Sequence, residues 1–444
     1  MKTPIAAHPI ARCFIAALAV LFGLAACDAA PAPSGDPDLQ STPIIVNPAD
    51  SAINRIAVIE SDGTIYTVKP DGEDRAEINE LGTIPDAALI WSPDGSRIAF
   101  SVVSGDSSQL ITVDPRGESR TAIYRDSPSA TPFYLYWSPD SRHVAFLTPD
   151  SQSRIALQIA QATQAESARS IVHGQPNYFS WSPEGQRLAV HIGDVQGYVG
   201  TYTLSDDETR QRDAEPALFQ APAWSPTDDA YLFARAGTTA EDDLVIVRDD
   251  TDSSLVKYNG AIAFAWSPDG TRVAYSTLNQ SGARYTGLSL IGTAGGDPHT
   301  LVTEDHVAFF WSPDGKQIAY LTALLVSPGV IGRVLAEPRR NIGRRVTQRL
   351  DQSELELTWN VVDIESGQIT ALASFRPTEH FLFVLPFFDQ YAQSITFWSP
   401  DSRYLLLAGS PLAGDRAIYR VDTQADGDRL TRVGPGEFAI WSWR

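Results

Sequence analysis

The feature that most constrains the fold of this sequence is a short segment that recurs along most of the chain. Seven copies resembling Trp-Ser-Pro-Asp-Gly are each followed by an apolar segment, and an eighth copy is truncated. The intervals between copies are 42 to 46 residues, except for one of 87 residues. A period of this length is typical of the blades of a β-propeller. The copies begin at Trp91, Trp137, Trp181, Trp224, Trp266, Trp311, Trp398 and Trp441.

Each repeat contains signals for four antiparallel strands. An apolar run such as IAFA before Trp266 predicts a buried first strand. The Ser-Pro-Asp-Gly that follows predicts a tight turn, because proline fixes φ, aspartate accepts bonds from nearby amides and glycine adopts positive φ. An apolar triplet and two further segments predict the remaining strands. Where Ser141 and Ser402 replace the glycine, we expect strained and looser hairpins.

The two ends of the repeat array complement each other. Residues 53–81 contain strand-like segments with no tryptophan motif before them, whereas EFAIWSW at the C-terminus is a first strand without its blade. Their pairing would close the ring and remove exposed sheet edges. The sequence therefore predicts an all-β fold over residues 53–444: an eight-bladed β-propeller of four-stranded antiparallel blades, closed by its N- and C-terminal segments.

The repeat resembles that of the TolB-like β-propeller family, in which the same turn is followed by Ile, Val or Leu, then Ala, then Phe or Tyr. The resemblance covers residues 53–444. It implies a propeller and an extracytoplasmic, protein-binding role, without implying a particular partner. TolB proteins also have a separate N-terminal domain and fewer blades. The sequence has no room for that domain, and its repeats do not fit that smaller number of blades. We expect the repeat tryptophans to pack between neighbouring blades.

The N-terminal 26 residues have the pattern of a targeting segment. Lys2 and Arg12 precede an apolar run that is too short to span a bilayer permanently. The string Leu-Ala-Ala-Cys, ending at Cys27, resembles the lipobox of bacterial lipoproteins, which implies that Cys27 carries a diacylglycerol. The alternative is an ordinary signal peptide with an incidental cysteine. Residues 27–52, rich in proline, alanine and serine, predict a flexible linker between the membrane and a periplasmic or extracellular propeller.

Nothing in the sequence points to catalysis, so we expect a non-enzymatic protein without a metal or cofactor. The histidines of the repeats occur singly, without the spacing of metal ligands, and the Gly-x-Ser-x-Gly motif of hydrolases is absent. The formal net charge of −20 makes nucleic acid an unfavourable partner. The alternative is an envelope hydrolase or lyase acting on peptide or polysaccharide, with a metal or a His/Asp/Glu cluster in the channel.

The interval of 87 residues departs from the repeat in two places, and such departures often form the binding face. The first is an insertion at about 324–352, whose arginines include the candidate partner-binding residues Arg339, Arg340, Arg344 and Arg345. It could bind an anionic lipid, a glycan or an acidic partner. Alternatively, it neutralises neighbouring carboxylates.

The second departure is a long aromatic loop at about 376–393, which precedes the expected strand SITFW near the channel. Its candidate partner-binding residues are Phe387, Phe388, Asp389 and Tyr391. They could form an apolar floor with polar groups for a peptide or ligand. Alternatively, the aromatics pack against the insertion and seal it to the propeller. The sequence thus predicts a binding scaffold at the cell envelope.

Overall fold

The computed structural model describes most of the chain after residue 53. The described residues are 54–79, 84, 88–150, 154–175, 177–193, 197–212, 214–217, 221–238, 241–278, 284–325, 355–412 and 414–444. Cys27 and Arg339, Arg340, Arg344 and Arg345 lie outside them. No helix among these residues is long and apolar enough to cross a membrane.

The described residues form strands throughout, as the sequence predicts. In chain order they are β1 Ile56–Ile59, β2 Ile65–Val68, β3 Ala76–Glu77, β4 Leu89–Trp91, β5 Ile98–Ser104, β6 Ser107–Val113, β7 Thr121–Asp126, β8 Phe133–Trp137, β9 His143–Pro149, β10 Ile155–Gln161, β11 Arg169–Gly174, β12 Asn177–Trp181, β13 Arg187–Ile192, β14 Tyr198–Thr203, β15 Glu208–Gln211, β16 Ala223–Trp224, β17 Ala230–Arg235, β18 Asp242–Arg248, β19 Thr251–Tyr258, β20 Ile262–Trp266, β21 Arg272–Leu278, β22 Tyr285–Gly292, β23 His299–Val302, β24 Ala308–Trp311, β25 Gln317–Leu325, β26 Leu355–Asp363, β27 Ile369–Pro377, β28 Tyr404–Pro411, β29 Ala417–Asp422, β30 Leu430–Gly434 and β31 Phe438–Trp441.

In the described part of the chain, the helices are few and short. A 3-10 turn spans Pro128–Ala130. Between β27 and β28 the chain forms α1 (Glu379–Val384), a 3-10 turn (Leu385–Phe387) and α2 (Phe388–Tyr391).

The strands form antiparallel sheets that follow the repeat. Six sheets have four strands, and a seventh runs from β24 to β30. The first strand of a sheet contacts the first strand of the next, as β4 does with β8 and β12 with β16. Sheets that meet along their first strands around a common axis form a β-propeller.

The first strands define two faces of this propeller. Strands β4, β8, β12, β16, β20, β24 and β31 each end at a repeat tryptophan, and a Ser-Pro turn follows in all of them except β31. We call the face at which these strands begin the start face, and the face at which they end the turn face. The buried core lies between them, in the stacked sheets.

The predicted pairing of the two chain ends is confirmed. β31 is hydrogen-bonded to β1, with Ile56 opposite Trp441 and Ile59 opposite Phe438. The backbone N–H of Arg55 donates to Ser442 Oγ at 3.1 Å, and the guanidinium of Arg55 bonds Thr67 and the carboxylate of Asp74. One sheet therefore combines strands from both ends of the described chain.

The repeat tryptophans lie between neighbouring sheets. All eight are buried except Trp311, which is half-buried. In four of them the indole N–H donates to the carbonyl of the residue just before the preceding repeat tryptophan. These bonds are Trp181 to Tyr136 (3.1 Å), Trp266 to Ala223 (2.8 Å), Trp311 to Ala265 (3.3 Å) and Trp398 to Phe310 (3.2 Å).

The turns in which serine replaces glycine are joined to the neighbouring repeat. Ser141 and Ser402 both have φ near +59°, a region that costs a non-glycine residue energy. Their hydroxyls accept the backbone N–H of Asp94 at 3.1 Å and of Asp314 at 3.0 Å. The expected backbone strain is thus present, together with a bond between repeats that glycine could not make.

The long interval differs from its prediction. The expected aromatic loop at 376–393 is largely helical, since it contains α1, the 3-10 turn and α2. The expected strand SITFW is wrong, because only Trp398 forms a bridge, to Leu405. Instead, the end of β27 pairs with the end of β28, which joins two repeat units into the seven-stranded sheet.

Candidate functional site

The helical segment 379–391 lies at the start face of the propeller. The ring of Phe388 packs edge-on against Phe309 and Phe310 of β24, with centroid distances of 5.1 and 6.0 Å. It also meets Tyr285, the first residue of β22, at 5.4 Å. One end of the segment is therefore fixed on the sheets that contain β22 and β24.

The same segment reaches sheets on other sides of the ring. The hydroxyl of Tyr134, in β8, donates to the carbonyl of Gln390 at 3.0 Å, and its ring lies 5.2 Å from that of Tyr391. Two residues after the segment, Gln393 Nε2 donates to the carbonyl of Pro222, just before β16, at 3.2 Å. The segment thus spans the start face between first strands of different repeats.

Local sequence explains why this segment turns into a helix. Thr378 caps α1 by accepting the N–H of Phe381 at 3.2 Å, and Glu379 occupies the first turn, where a negative charge is favourable. Pro386 lies in the first turn of the 3-10 segment, where its missing N–H costs little. Phe381 packs on Trp359 and neighbouring aromatic rings, which anchors the segment to the sheet below.

The contact between this segment and the ring contains buried polar groups. Burial, together with the nearby Tyr136, Tyr391 and Asp389, raises the pKa of Tyr134 well above its usual value. Tyr134 therefore stays protonated and donates its hydrogen bond at any physiological pH. Within the described part of the chain, the amide nitrogen of Gln390 is buried without a hydrogen-bond partner.

The outer surface of this region is apolar. Phe383 of α1 is 38% exposed, and Phe387 is half-buried. Leu324, near the end of β25, and Leu412, after β28, are 62% and 65% exposed. The ends of β25, β27 and β28 lie at one edge of the sheet, because Leu325 pairs with Leu355, Leu357 with Phe375, and Phe375 with Pro411. We call Leu324, Phe383, Phe387 and Leu412 the apolar rim.

The four predicted binding residues in this segment are brought together, but they face inward more than expected. Phe388, Asp389 and Tyr391 are 1%, 9% and 4% exposed, so only Phe387 contributes to the apolar rim. Phe383, Leu324 and Leu412 were missed. Phe383 lies in the apolar run FLFVLPFF, whose sequence does not distinguish the side that faces solvent.

Histidines do not converge on the channel in the described ranges. There, no group of three or more His, Cys, Asp or Glu residues is arranged to hold a metal ion. His306 is buried between sheets, with Nε2 2.9 Å from Ser276 Oγ and Nδ1 3.1 Å from the carbonyl of Glu304. Burial lowers its pKa, so the ring is neutral at pH 7.

Comparisons with known proteins support the fold alone. No protein-family model matches the chain, and no curated protein matches it. The dihydro-heme d1 dehydrogenase NirN, solved in complex with DHE, is 15% identical with a TM-score of 0.57, covering 91% of this chain and 78% of NirN. A eukaryotic initiation factor is 11% identical with a TM-score of 0.51, covering 88% of this chain and 98% of the factor.

TolB proteins are also among the similar structures. TolB from Acinetobacter baumannii is 13% identical with a TM-score of 0.38, covering 70% of this chain and 77% of TolB. That score is too low to support an argument, and membership of the TolB-like family stays a prediction.

Proposed function

We propose that the protein is an extracytoplasmic binding scaffold, anchored to the bacterial membrane through a lipid on Cys27, and that it binds an envelope protein or peptide at the apolar rim. The observation behind this proposal is that most of the exposed large apolar side chains lie at the same face of the propeller. Four large hydrophobic residues are clearly exposed in the described residues, and three of them, Leu324, Phe383 and Leu412, lie at the start face. Exposed apolar patches of this kind mark interaction sites.

The position of the helical segment supports binding over catalysis in the channel. Its aromatic residues occupy the start face, where a substrate would otherwise enter between the first strands. This geometry supports the proposal that the central part of the start face binds a partner without catalysing a reaction. The arginines 339, 340, 344 and 345 belong to the chain between Leu325 and Leu355, two residues paired at this same edge. We propose that they add contacts to an acidic partner.

We further propose that the propeller has eight blades. The seven-stranded sheet divides at the β27–β28 pairing, which involves only three residue pairs at the strand ends. One part, β24–β27, is a complete unit. The other combines β28–β30 with the bridge at Trp398 as its reduced first strand. Six four-stranded sheets and these two units account for every repeat tryptophan.

Site-specific photocrosslinking tests the proposed binding face. A photoreactive phenylalanine analogue at position 383 should give a discrete adduct in intact cells. The matched control places the analogue at Ile369, which is 46% exposed at the start of β27 and so lies at the turn face. We expect no adduct from position 369.

A second substitution separates binding from folding. Leu412→Glu should abolish the adduct from position 383 without changing the thermal unfolding of the protein, because Leu412 is exposed. Identical adduct patterns from positions 383 and 369, or an adduct that survives Leu412→Glu, would refute the apolar rim as the binding face.

A further inference from the structure

A serine, a histidine and an aspartate are linked in series at the outer edge of the sheet β8–β11. Ser170 Oγ lies 3.0 Å from His173 Nε2, and His173 Nδ1 lies 3.2 Å from Asp150 Oδ2. Ser170 is exposed, the His173 side chain is 39% exposed, and that of Asp150 is 13% exposed. They lie at the outermost strand of this sheet, whereas the helical segment contacts its innermost strand through Tyr134.

A β-bulge brings the serine and the histidine to the same side of β11. In a regular strand, residues three apart point to opposite faces. Here Leu157 pairs with Val172 while the next residue, Gln158, pairs with Ser170, so that Ile171 is the additional residue. The bulge reverses the alternation and directs Ser170 and His173 to one side.

The hydrogen bonds define which ring nitrogen holds the proton. The Asp150 carboxylate can only accept hydrogen bonds, so the proton of the neutral imidazole lies on Nδ1. His173 Nε2 is then free to accept the hydroxyl proton of Ser170. Asp150 is itself held in place by Arg154, whose Nε donates to Oδ2 and whose backbone N–H donates to Oδ1, both at 2.9 Å.

The location of this site also provides access and hydrogen-bond donors. β11 is the outermost strand of its sheet, so the N–H groups along its free edge face solvent. Such groups can stabilise negative charge that develops on a substrate oxygen. β9 ends just before Asp150, and β11 ends just after His173, which places the site at the rim of the start face.

We propose that Ser170 is a nucleophile for acyl transfer, with His173 as its general base and Asp150 as a positioning residue. The substrate class is an activated carboxylic ester. Ser170 Oγ forms a bond to the ester carbonyl carbon as its proton passes to His173 Nε2. The ester C–O bond then breaks, and the leaving alkoxide takes that proton. Water attacks the acyl-serine in the same way and releases the carboxylic acid.

A fluorophosphonate probe on the purified full-length protein tests the nucleophile. The serine oxygen displaces fluoride from phosphorus, and peptide mapping should locate the adduct on Ser170. Ser170→Ala should abolish this adduct, and His173→Gln should slow labelling about 100-fold, as expected for loss of a general base. The matched control is Ser253→Ala, since Ser253 is exposed on β19, the outermost strand of another sheet. That variant should label like the parent.

The role of Asp150 is tested by conservative replacement. Asp150→Asn should slow labelling, and Asp150→Glu should restore part of the rate because it restores an acceptor for the Nδ1 proton. Release of 4-nitrophenol from 4-nitrophenyl acetate gives a second readout on the same variants, and thermal unfolding checks that each is folded. The proposal is overturned if no adduct maps to Ser170, or if folded His173→Gln labels at the parent rate.

Discussion

Replacing Trp441 with alanine tests how much the closing strand contributes to the stability of the ring. Trp441 is 1% exposed in β31, opposite Ile56. Truncating a buried tryptophan to alanine costs about 3–5 kcal/mol in lost burial and residual cavity. Its indole N–H also donates to Asn54 Oδ1 at 2.5 Å, and loss of that bond adds about 1 kcal/mol. The expected total is a large fraction of the roughly 5–15 kcal/mol that stabilises a typical protein.

Equilibrium unfolding in urea, followed by far-UV circular dichroism, measures this change. The control is Trp443→Ala, two residues further on, because Trp443 is only partly buried and lies after the strand. It should cost roughly 1 kcal/mol or less. If the two variants unfold at the same urea concentration, the closing strand does not stabilise the ring, and the reasoning from its pairing fails.

Three further predictions concern charged and titrating groups. Arg55→Met should cost about 2–3 kcal/mol in urea unfolding, because the side chain is 5% exposed and bonds Asp74. Arg116 bonds the same carboxylate but is 56% exposed, so Arg116→Met should change the urea midpoint far less. Burial holds the pKa of His306 below 6.5, so the unfolded chain takes up a proton first and stability falls as the pH drops below 6.5. His306→Gln should flatten that part of a melting-temperature profile. The pKa of Asp269 lies below its usual 3.8, because burial, which raises it, is outweighed by hydrogen bonds from Ser267 and Thr271. The ionised carboxylate therefore stabilises the fold above pH 3.8, and this stabilisation is lost as the pH falls below that value. The melting temperature of Asp269→Asn should accordingly depend less on pH in the acid range.

The parts of the fold that the sequence predicts are those determined by local chemistry. In the turn that follows Trp91, Ser92 Oγ donates to Asp94 Oδ1 at 2.7 Å and accepts the N–H of Arg97 at 2.9 Å. All the atoms involved belong to a stretch of six residues, so the repeated sequence motif is sufficient to predict the turn. The pairing of β1 with β31 was also predictable, because each end lacks what the other supplies.

The helical segment could not be predicted in the same way. Its apolar run fits either a buried strand or a helix, and the burial of Phe388 and Tyr391 depends on rings contributed by β24 and β8, the latter more than 250 residues away. Those contacts exist only after the ring has closed. The sequence identifies the segment as an exception to the repeat. It does not show which side of the segment faces the ring and which side faces the solvent.

The serine site shows a second limit. A search for regular histidine spacing misses it, because Ser170 and His173 share a face only through the extra residue Ile171. Asp150 reaches them from the end of a different strand, 20 residues earlier. Bulges depend on how two strands pair, so this arrangement becomes visible only in the folded sheet.

The two faces of the ring differ in what they present. Asn54, the first described residue, accepts a hydrogen bond from the indole N–H of Trp441 at the turn face, so the described chain begins at that face. The start face, on the other side, presents the apolar rim and, at its periphery, the Ser170 site. The proposed anchor at Cys27 therefore precedes the turn face in the chain, whereas the proposed partner-binding residues lie at the opposite face.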